Sequence, residues 1–138
     1  QHTMMENFPA FGLKYTSDNK EDANPPMWRT LEEVSFLKRT FRFDTELGRY
    51  VCPLYLSTVD SMLDFTKRGG SGDSITLDNC ENAMREWSLH GRKVFERKVQ
   101  KLVPIVQERM GEELEVLPHK LTLYNAVNYE PEWLMERI

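Results

Sequence analysis

Cysteine is scarce in this chain, which has only Cys52 and Cys80 among its 138 residues. A small disulfide-stapled fold needs several paired cysteines, and a structural zinc site needs closely spaced Cys or His ligands. Neither pattern is present, so the sequence excludes both classes and favours a reducing compartment. Because free cysteine usually packs as a small apolar side chain, we predict that both thiols are buried.

Long apolar runs are also missing, since no stretch approaches the roughly 20 apolar residues that cross a bilayer. No basic and apolar leader opens the sequence, and its first residue is Gln1 rather than Met, so we expect that the chain begins inside a larger product or after processing. With 40% hydrophobic and 29% charged residues, the composition is that of a globular domain. The net charge of −4 argues against a dedicated nucleic-acid-binding domain, which is usually basic.

A self-contained active site is not visible in the sequence. His2, His90 and His119 are scattered and lack the spaced Cys or carboxylate partners of a metal site. There is no Asp-x-Asp or Gly-Asp-Asp for two-metal phosphoryl transfer. The glycine cluster at 69–72 lacks the Lys-Ser/Thr ending of a phosphate-binding loop and predicts a flexible break. The sequence therefore predicts no metal site in this chain.

One β-hairpin is predicted ahead of the helices. Residues 34–43 are rich in aromatic and β-forming side chains, residues 45–48 have turn chemistry, and residues 49–54 supply a return strand. Strand alternation gives the first strand two different faces. The predicted buried face carries Leu37, Phe41 and Phe43. The predicted cationic face carries Lys38, Thr40 and Arg42.

Three helices follow in the prediction, which makes the fold α+β. The first starts after an N-cap at Ser57, the second runs from about Thr76 to His90, and the third runs from about Lys93 to Met110. Pro104 should kink or restart the third helix, and a short last helix is predicted over 132–137. The predicted core of the bundle is formed by Leu77, Met84, Trp87, Phe95, Val99 and Leu102.

The second half of the chain concentrates positive charge. Between Arg85 and Met110 there are seven basic residues and three acidic ones, a local excess of four. On a helix this excess predicts one basic face on an otherwise acidic body, although an ordinary solvated helix face fits the same pattern.

Two short motifs carry a resemblance to a known family. Phe36-Leu37-Lys38-Arg39 resembles motif E of the RNA-dependent RNA polymerases of picorna-like viruses, and the run 11–20 ahead of it is similar to their motif D. The order and spacing of the two motifs agree with the family. Further downstream, the run 79–86 looks most like the dicistrovirus branch. The resemblance covers roughly residues 1–110 and implies a fragment of a right-hand polymerase, with the end of the palm at 1–43 and the thumb at 44–138.

The resemblance also implies roles for particular residues. Lys20 matches the motif D lysine, a candidate general acid that protonates the leaving pyrophosphate, and Lys38 matches the lysine of the primer grip. The residues alone also allow a solvated loop lysine and an exposed hairpin strand. Arg39 would hold the hairpin to neighbouring carboxylates or RNA. The full set of implied RNA-binding or primer-binding residues is Lys38, Arg39, Arg42, Arg97, Lys98 and Lys101.

The family implies nucleotidyl transfer in RNA replication in the host cytoplasm. The implied partners are template-primer RNA, nucleoside triphosphates and the remaining fingers and palm of the polymerase. Its catalytic aspartates, and the Mg²⁺ or Mn²⁺ that they hold, should lie before Gln1, so we expect this chain alone to be inactive. The alternative is a non-catalytic helical interaction or RNA-binding module, derived from such a polymerase or resembling it by coincidence. The acidic net charge favours the module, whereas the ordered motif spacing favours the polymerase.

Overall fold

The computed structural model describes residues 6–13, 28–64 and 72–128, and this part of the chain is a mixed α+β fold. Two small antiparallel hairpins precede a group of packed α-helices. The predicted mixture of hairpin and helices is thus confirmed. The predicted last helix over 132–137, and most of the motif D run with Lys20, lie outside the described residues.

The described residues form two hairpins where the sequence predicted one. Strand β1 (Ser35–Phe36) pairs with β2 (Arg39–Thr40), and strand β3 (Arg42–Asp44) pairs with β4 (Arg49–Val51). The predicted reversal at 45–48 is confirmed, because β3 and β4 are joined there. The predicted continuous strand over 34–43 is wrong.

The error arises at a tight turn inside the predicted strand. Leu37 and Lys38 have φ angles of 50° and 63°, in the left-handed region that lets a two-residue turn reverse the chain. Strand alternation does not continue across such a turn, so the two predicted faces do not form. Leu37 is 77% exposed and Phe43 is 48% exposed, which contradicts the predicted buried face.

The helices lie close to their predicted positions. Helix α1 begins one residue before the predicted cap, which makes Ser57 a helical residue, and α2 begins one turn before Thr76. Helix α3 is within one residue of its predicted start and continues through Pro104 without a break. A fourth helix, α4, was not predicted. The bounds are Leu56–Met62 for α1, Gly72–Ser88 for α2, Arg92–Met110 for α3 and His119–Val127 for α4.

The core lies between α1, α2 and α3. The predicted core positions are confirmed except that Leu77 is only partly buried at its edge. The thiol prediction is half wrong, because Cys80 is buried in the core whereas Cys52 is exposed beside the hairpins. Helix α4 packs against α2 and α3. The buried members of the core are Val59, Cys80, Ala83, Met84, Trp87, Phe95, Val99, Leu102 and Val106.

Asp44 fixes the turn of the second hairpin although its side chain is only 2% exposed. Its carboxylate accepts hydrogen bonds from Arg42 Nη1 at 2.8 Å and from the backbone N–H groups of Glu46 and Leu47 at 3.0 and 3.1 Å. Burial raises the pKa of this carboxyl, but the bonds from Arg42 and from the two amides outweigh burial, so the pKa lies below its usual value. The ionised form is therefore the one that the fold stabilises.

This arrangement predicts a pH-dependent stability. A carboxyl with a lowered folded pKa stabilises the fold above its unfolded pKa of about 3.9, and this contribution is lost as the pH falls through the folded pKa. Asp44→Asn is expected to lower the free energy of unfolding at neutral pH by about 1–3 kcal/mol, with the difference from the parent shrinking in acid. Urea titrations of the two chains across pH measure this. Asp78→Asn, at an exposed position on α2, is the control. Equal losses in acid and at neutral pH would contradict the prediction.

Candidate nucleic-acid interface

The β1–β2 turn presents Lys38 to solvent. Its side chain is exposed and makes no ion pair with any residue in 6–13, 28–64 or 72–128. Positive φ angles are uncommon outside glycine, and a residue such as Leu37 or Lys38 holds one at a cost of about 1–2 kcal/mol. A turn that keeps two such residues is fixed by its surroundings.

The backbone around this turn is held by the chain that follows β4. Lys38 O accepts a hydrogen bond from Tyr55 N at 2.8 Å, and Thr40 N donates to Pro53 O at 3.0 Å. An isolated antiparallel bridge joins Arg39 to Leu54 between these two bonds. Residues 53–55 thus lie along β2 as a third extended segment. The backbone of Lys38 is anchored, whereas its ammonium has no ion-pair partner in the part of the chain that the structure describes.

Arg39 faces the helices. Its guanidinium forms a two-pronged ion pair with Glu86 on α2, with N–O distances of 2.8 and 3.2 Å, and also donates to Cys52 O at 2.7 Å. These contacts match the carboxylate partner predicted for Arg39. Its predicted contact with RNA stays a prediction.

Arg42 is half-buried and is also bound by groups of the protein. It donates to the buried carboxylate of Asp44 and, at 2.9 Å, to Leu89 O at the end of α2. Gly91 follows with a φ of 98°, and a Cβ atom at this position would lie 2.9 Å from Arg42 Nη2. Arg42 therefore connects the second hairpin to the junction of α2 and α3.

The predicted cations of α3 divide into two groups. Arg97 and Lys101 are exposed and, with Lys93, form a stripe at a spacing of four residues that has no ion pair within the described residues. Lys98 turns toward α1, where its Nζ lies 2.6 and 2.8 Å from the carboxylate oxygens of Asp60. The separation follows from helix geometry, because adjacent residues point about 100° apart. We call Lys93, Arg97 and Lys101 the basic stripe.

Sequence reasoning assigned no role to Glu86, and it treated His90 only as a helix-end residue. His90 Nε2 lies 2.6 Å from Leu54 O. Burial lowers the pKa of His90, and the bond to Leu54 O only partly offsets this effect. The available signal was the spacing of Glu86 and His90 by four residues, which brings a side chain of α2 and one of the turn that follows it to the same residue, Leu54.

Metal ligands do not converge in the described residues, where no three His, Cys, Asp or Glu side chains could hold one ion. This part of the chain therefore does not fit a resident metal site. The same residues contain no helix with the length and apolar character needed to span a bilayer.

Comparisons with known proteins agree on one family. The model of the family described as viral RNA-dependent RNA polymerase matches residues 1–107. The replicase polyprotein of acute bee paralysis virus (strain Rothamsted) is 32% identical over 115 residues, which are 83% of this chain and 6% of that protein. That of Drosophila C virus (strain EB) is 34% identical over 108 residues, or 78% of this chain and 6% of that protein. That of cricket paralysis virus is 29% identical over 97 residues, or 70% of this chain and 5% of that protein. The chain thus spans only about one-twentieth of these relatives.

Proposed function

This chain belongs to the viral RNA-dependent RNA polymerase family, and we propose that it is the C-terminal portion of such a polymerase, supplying the primer grip and the thumb. Residues 1–43 would complete the palm, and residues 44–138 would form the thumb of the right-hand fold. The complete enzyme would extend RNA with nucleoside triphosphates in the host cytoplasm. The likeness to dicistrovirus replicases supports this assignment, and it confirms the resemblance to the RNA-dependent RNA polymerases of picorna-like viruses.

The observation that carries the proposal is the Lys38 turn. A strand that translocates by one nucleotide per cycle needs a cation that can release one phosphate and bind the next. Lysine suits this task because its ammonium is a point charge on a flexible stem, whereas the planar guanidinium of Arg39 favours a fixed two-pronged partner. The contacts within the described residues support this division, because Arg39 is bound to Glu86 whereas Lys38 makes no ion pair there.

The basic stripe on α3 gives the chain a second surface for an RNA backbone. Its cations are exposed and regularly spaced, as suits contacts with successive phosphates along a nucleic-acid backbone. A double-stranded RNA product is recognised mainly through its shape, its phosphates and its 2′-hydroxyl groups. We therefore assign the stripe to the product duplex, with binding that is independent of sequence and steeply dependent on salt.

The metal chemistry of the reaction belongs elsewhere in this proposal. The resemblance implies that the catalytic aspartates lie before Gln1, so we assign the Mg²⁺ or Mn²⁺ of the complete enzyme to a segment outside this chain. The chain alone should then show no primer extension with either metal. Incorporation by the pure chain would favour a different division of the enzyme.

Lys38→Ala in the complete polymerase tests the primer grip. Loss of one ammonium–phosphate contact, worth about 1.5 kcal/mol, should shorten the lifetime of a preassembled primer–template complex about 10-fold. It should also reduce the slope of log affinity against log salt by about one. The lifetime is measured by challenging the complex with excess competitor RNA. Lys120→Ala, at another exposed lysine, is the matched control and should change neither quantity. A parental lifetime for Lys38→Ala would contradict the proposal.

A further inference from the structure

Two side chains of α2 and its C-terminal turn bind the same residue of the segment that supports the Lys38 turn. Leu54 N donates to Glu86 Oε2 at 3.3 Å, and Leu54 O lies 2.6 Å from His90 Nε2. Because a carbonyl oxygen only accepts, the proton of His90 must sit on Nε2 in this contact. Both backbone polar groups of Leu54 are therefore bound by side chains one helical turn apart.

Glu86 has a second partner in the same place. Its two carboxylate oxygens accept from both terminal nitrogens of Arg39, and its side chain is only 17% exposed. Charge-assisted, two-pronged bonds of this kind fix orientation as well as distance. One carboxylate thus joins α2 to strand β2 and to the segment paired with β2.

The partners of Glu86 and His90 are connected to Lys38 through the backbone. Arg39 is the next residue along the chain and is bridged to Leu54, while the neighbour of Leu54, Tyr55, donates its N–H to Lys38 O at 2.8 Å. The bundle core is made by other residues, and neither Glu86 nor His90 belongs to it. Their bonds serve the attachment of the hairpin and not the packing of the helices.

We propose that Glu86 and His90 are positioning residues that hold the Lys38 turn against the helical bundle, at the orientation in which its ammonium meets the RNA backbone. This inference rests on the proposed primer grip. In the working enzyme, the two residues would couple the placement of the primer to the placement of the thumb. A displaced thumb would then withdraw Lys38 from the primer.

A double-mutant cycle in the complete polymerase tests the coupling. Glu86→Gln keeps the size of the side chain and an acceptor for Leu54 N, but it removes the charge that holds Arg39. It should shorten the lifetime of the primer–template complex about 3- to 10-fold, within the range found for coupled neighbours. In a Lys38→Ala background, the same change should have no further effect. If Glu86 had a merely structural role, Glu86→Gln would shorten the lifetime of the complex by the same factor in both backgrounds.

His90 provides a second variant that is independent of the ion pair. His90→Leu removes the donor to Leu54 O and should reproduce the Lys38-dependent loss, whereas His90→Gln retains a side-chain donor and should recover part of it. Glu81→Gln is the control, because Glu81 lies on α2 and pairs with Arg85 away from the hairpin. It should leave the lifetime unchanged.

The possible outcomes separate this inference from the function on which it rests. Additive losses for Glu86→Gln and Lys38→Ala would overturn the positioning role and leave the primer grip intact. No loss for Lys38→Ala alone would overturn the primer grip, and the positioning role with it. A loss for Glu86→Gln that disappears only when Lys38 is absent supports both.

Discussion

Lys20→Ala is expected to lower the rate of nucleotide incorporation by the complete polymerase about 10²- to 10⁴-fold, the usual contribution of a positioned proton donor. In the reaction, the primer 3′ oxygen attacks the α-phosphorus of the nucleoside triphosphate. The bond between this phosphorus and the oxygen that bridges it to the β-phosphate breaks, and negative charge develops on that bridging oxygen of the departing pyrophosphate. A lysine ammonium beside that oxygen would transfer its proton there. Since the charge develops only in the transition state, nucleotide affinity should change much less than the rate.

The role of Lys20 rests on the resemblance to motif D, because Lys20 lies outside the described residues. Two substitutions separate proton transfer from simple charge. Lys20→Arg keeps the positive charge but holds its proton too tightly to donate it, so the rate should stay low. Lys20→His should recover part of the rate and lower the pH optimum, because the ordinary pKa of histidine is about 6.5 and that of lysine is about 10.4.

Single-nucleotide incorporation on a preassembled complex, followed across pH, measures these differences. The preassembled complex removes the contribution of RNA binding, which is the quantity that Lys38 should affect. Incorporation by Lys20→Ala at the parental rate would show that Lys20 is an ordinary solvated lysine. The assignment of the chain to its family would stand in that case.

Phe95→Ala is expected to lower the free energy of unfolding by about 3–5 kcal/mol, the usual loss for truncating a buried aromatic side chain. Phe95 is 3% exposed, belongs to the core cluster and lies 5.5 Å from the ring of His119, centroid to centroid. It therefore contacts both the three-helix core and α4. Truncation would leave a cavity that three helices border, and a site packed from several sides relaxes little.

Ile105→Ala on the same helix is the matched control. Ile105 is 51% exposed, so its truncation should cost about 1 kcal/mol or less. Both variants leave the helix with alanine, which has the highest helix propensity, so the difference between them reports burial. Urea titrations followed by far-ultraviolet circular dichroism measure the two losses. Equal losses would contradict the core as described.

The helical half of the fold could be predicted because its signal is local and long. The apolar residues of α3 recur at helical spacing over 19 residues, and the burial of Phe95, Val99 and Leu102 follows from that period. Helix α4 gave no such signal. Its mixed sequence does not separate an apolar face from a polar one, and it is buried through His119, Thr122 and Leu123 by contact with α2 and α3.

The hairpin half was predicted only in part. The reversal at 45–48 has turn residues, including Gly48 at a positive φ, so its position could be predicted from the local sequence. The reversal at Leu37 and Lys38 has none, because neither residue favours the left-handed region. Backbone hydrogen bonds between Thr40 and Pro53 and between Lys38 and Tyr55 stabilise this reversal. Long-range bonds of this kind leave no local pattern.

The sequence by itself determined the family, through the spacing of motifs D and E, and the helical core, through its apolar period. Tertiary structure alone decided which cations form ion pairs among the described residues. The sequence does not distinguish the four cations Lys38, Arg39, Arg42 and Lys98. In the fold, Glu86 binds Arg39, Asp44 binds Arg42 and Asp60 binds Lys98, whereas Lys38 is exposed. The physical reason is that an ion pair depends on a distance of about 4 Å or less between two side chains. Partners such as Arg39 and Glu86 lie far apart in sequence, and only the folded chain brings them within that distance.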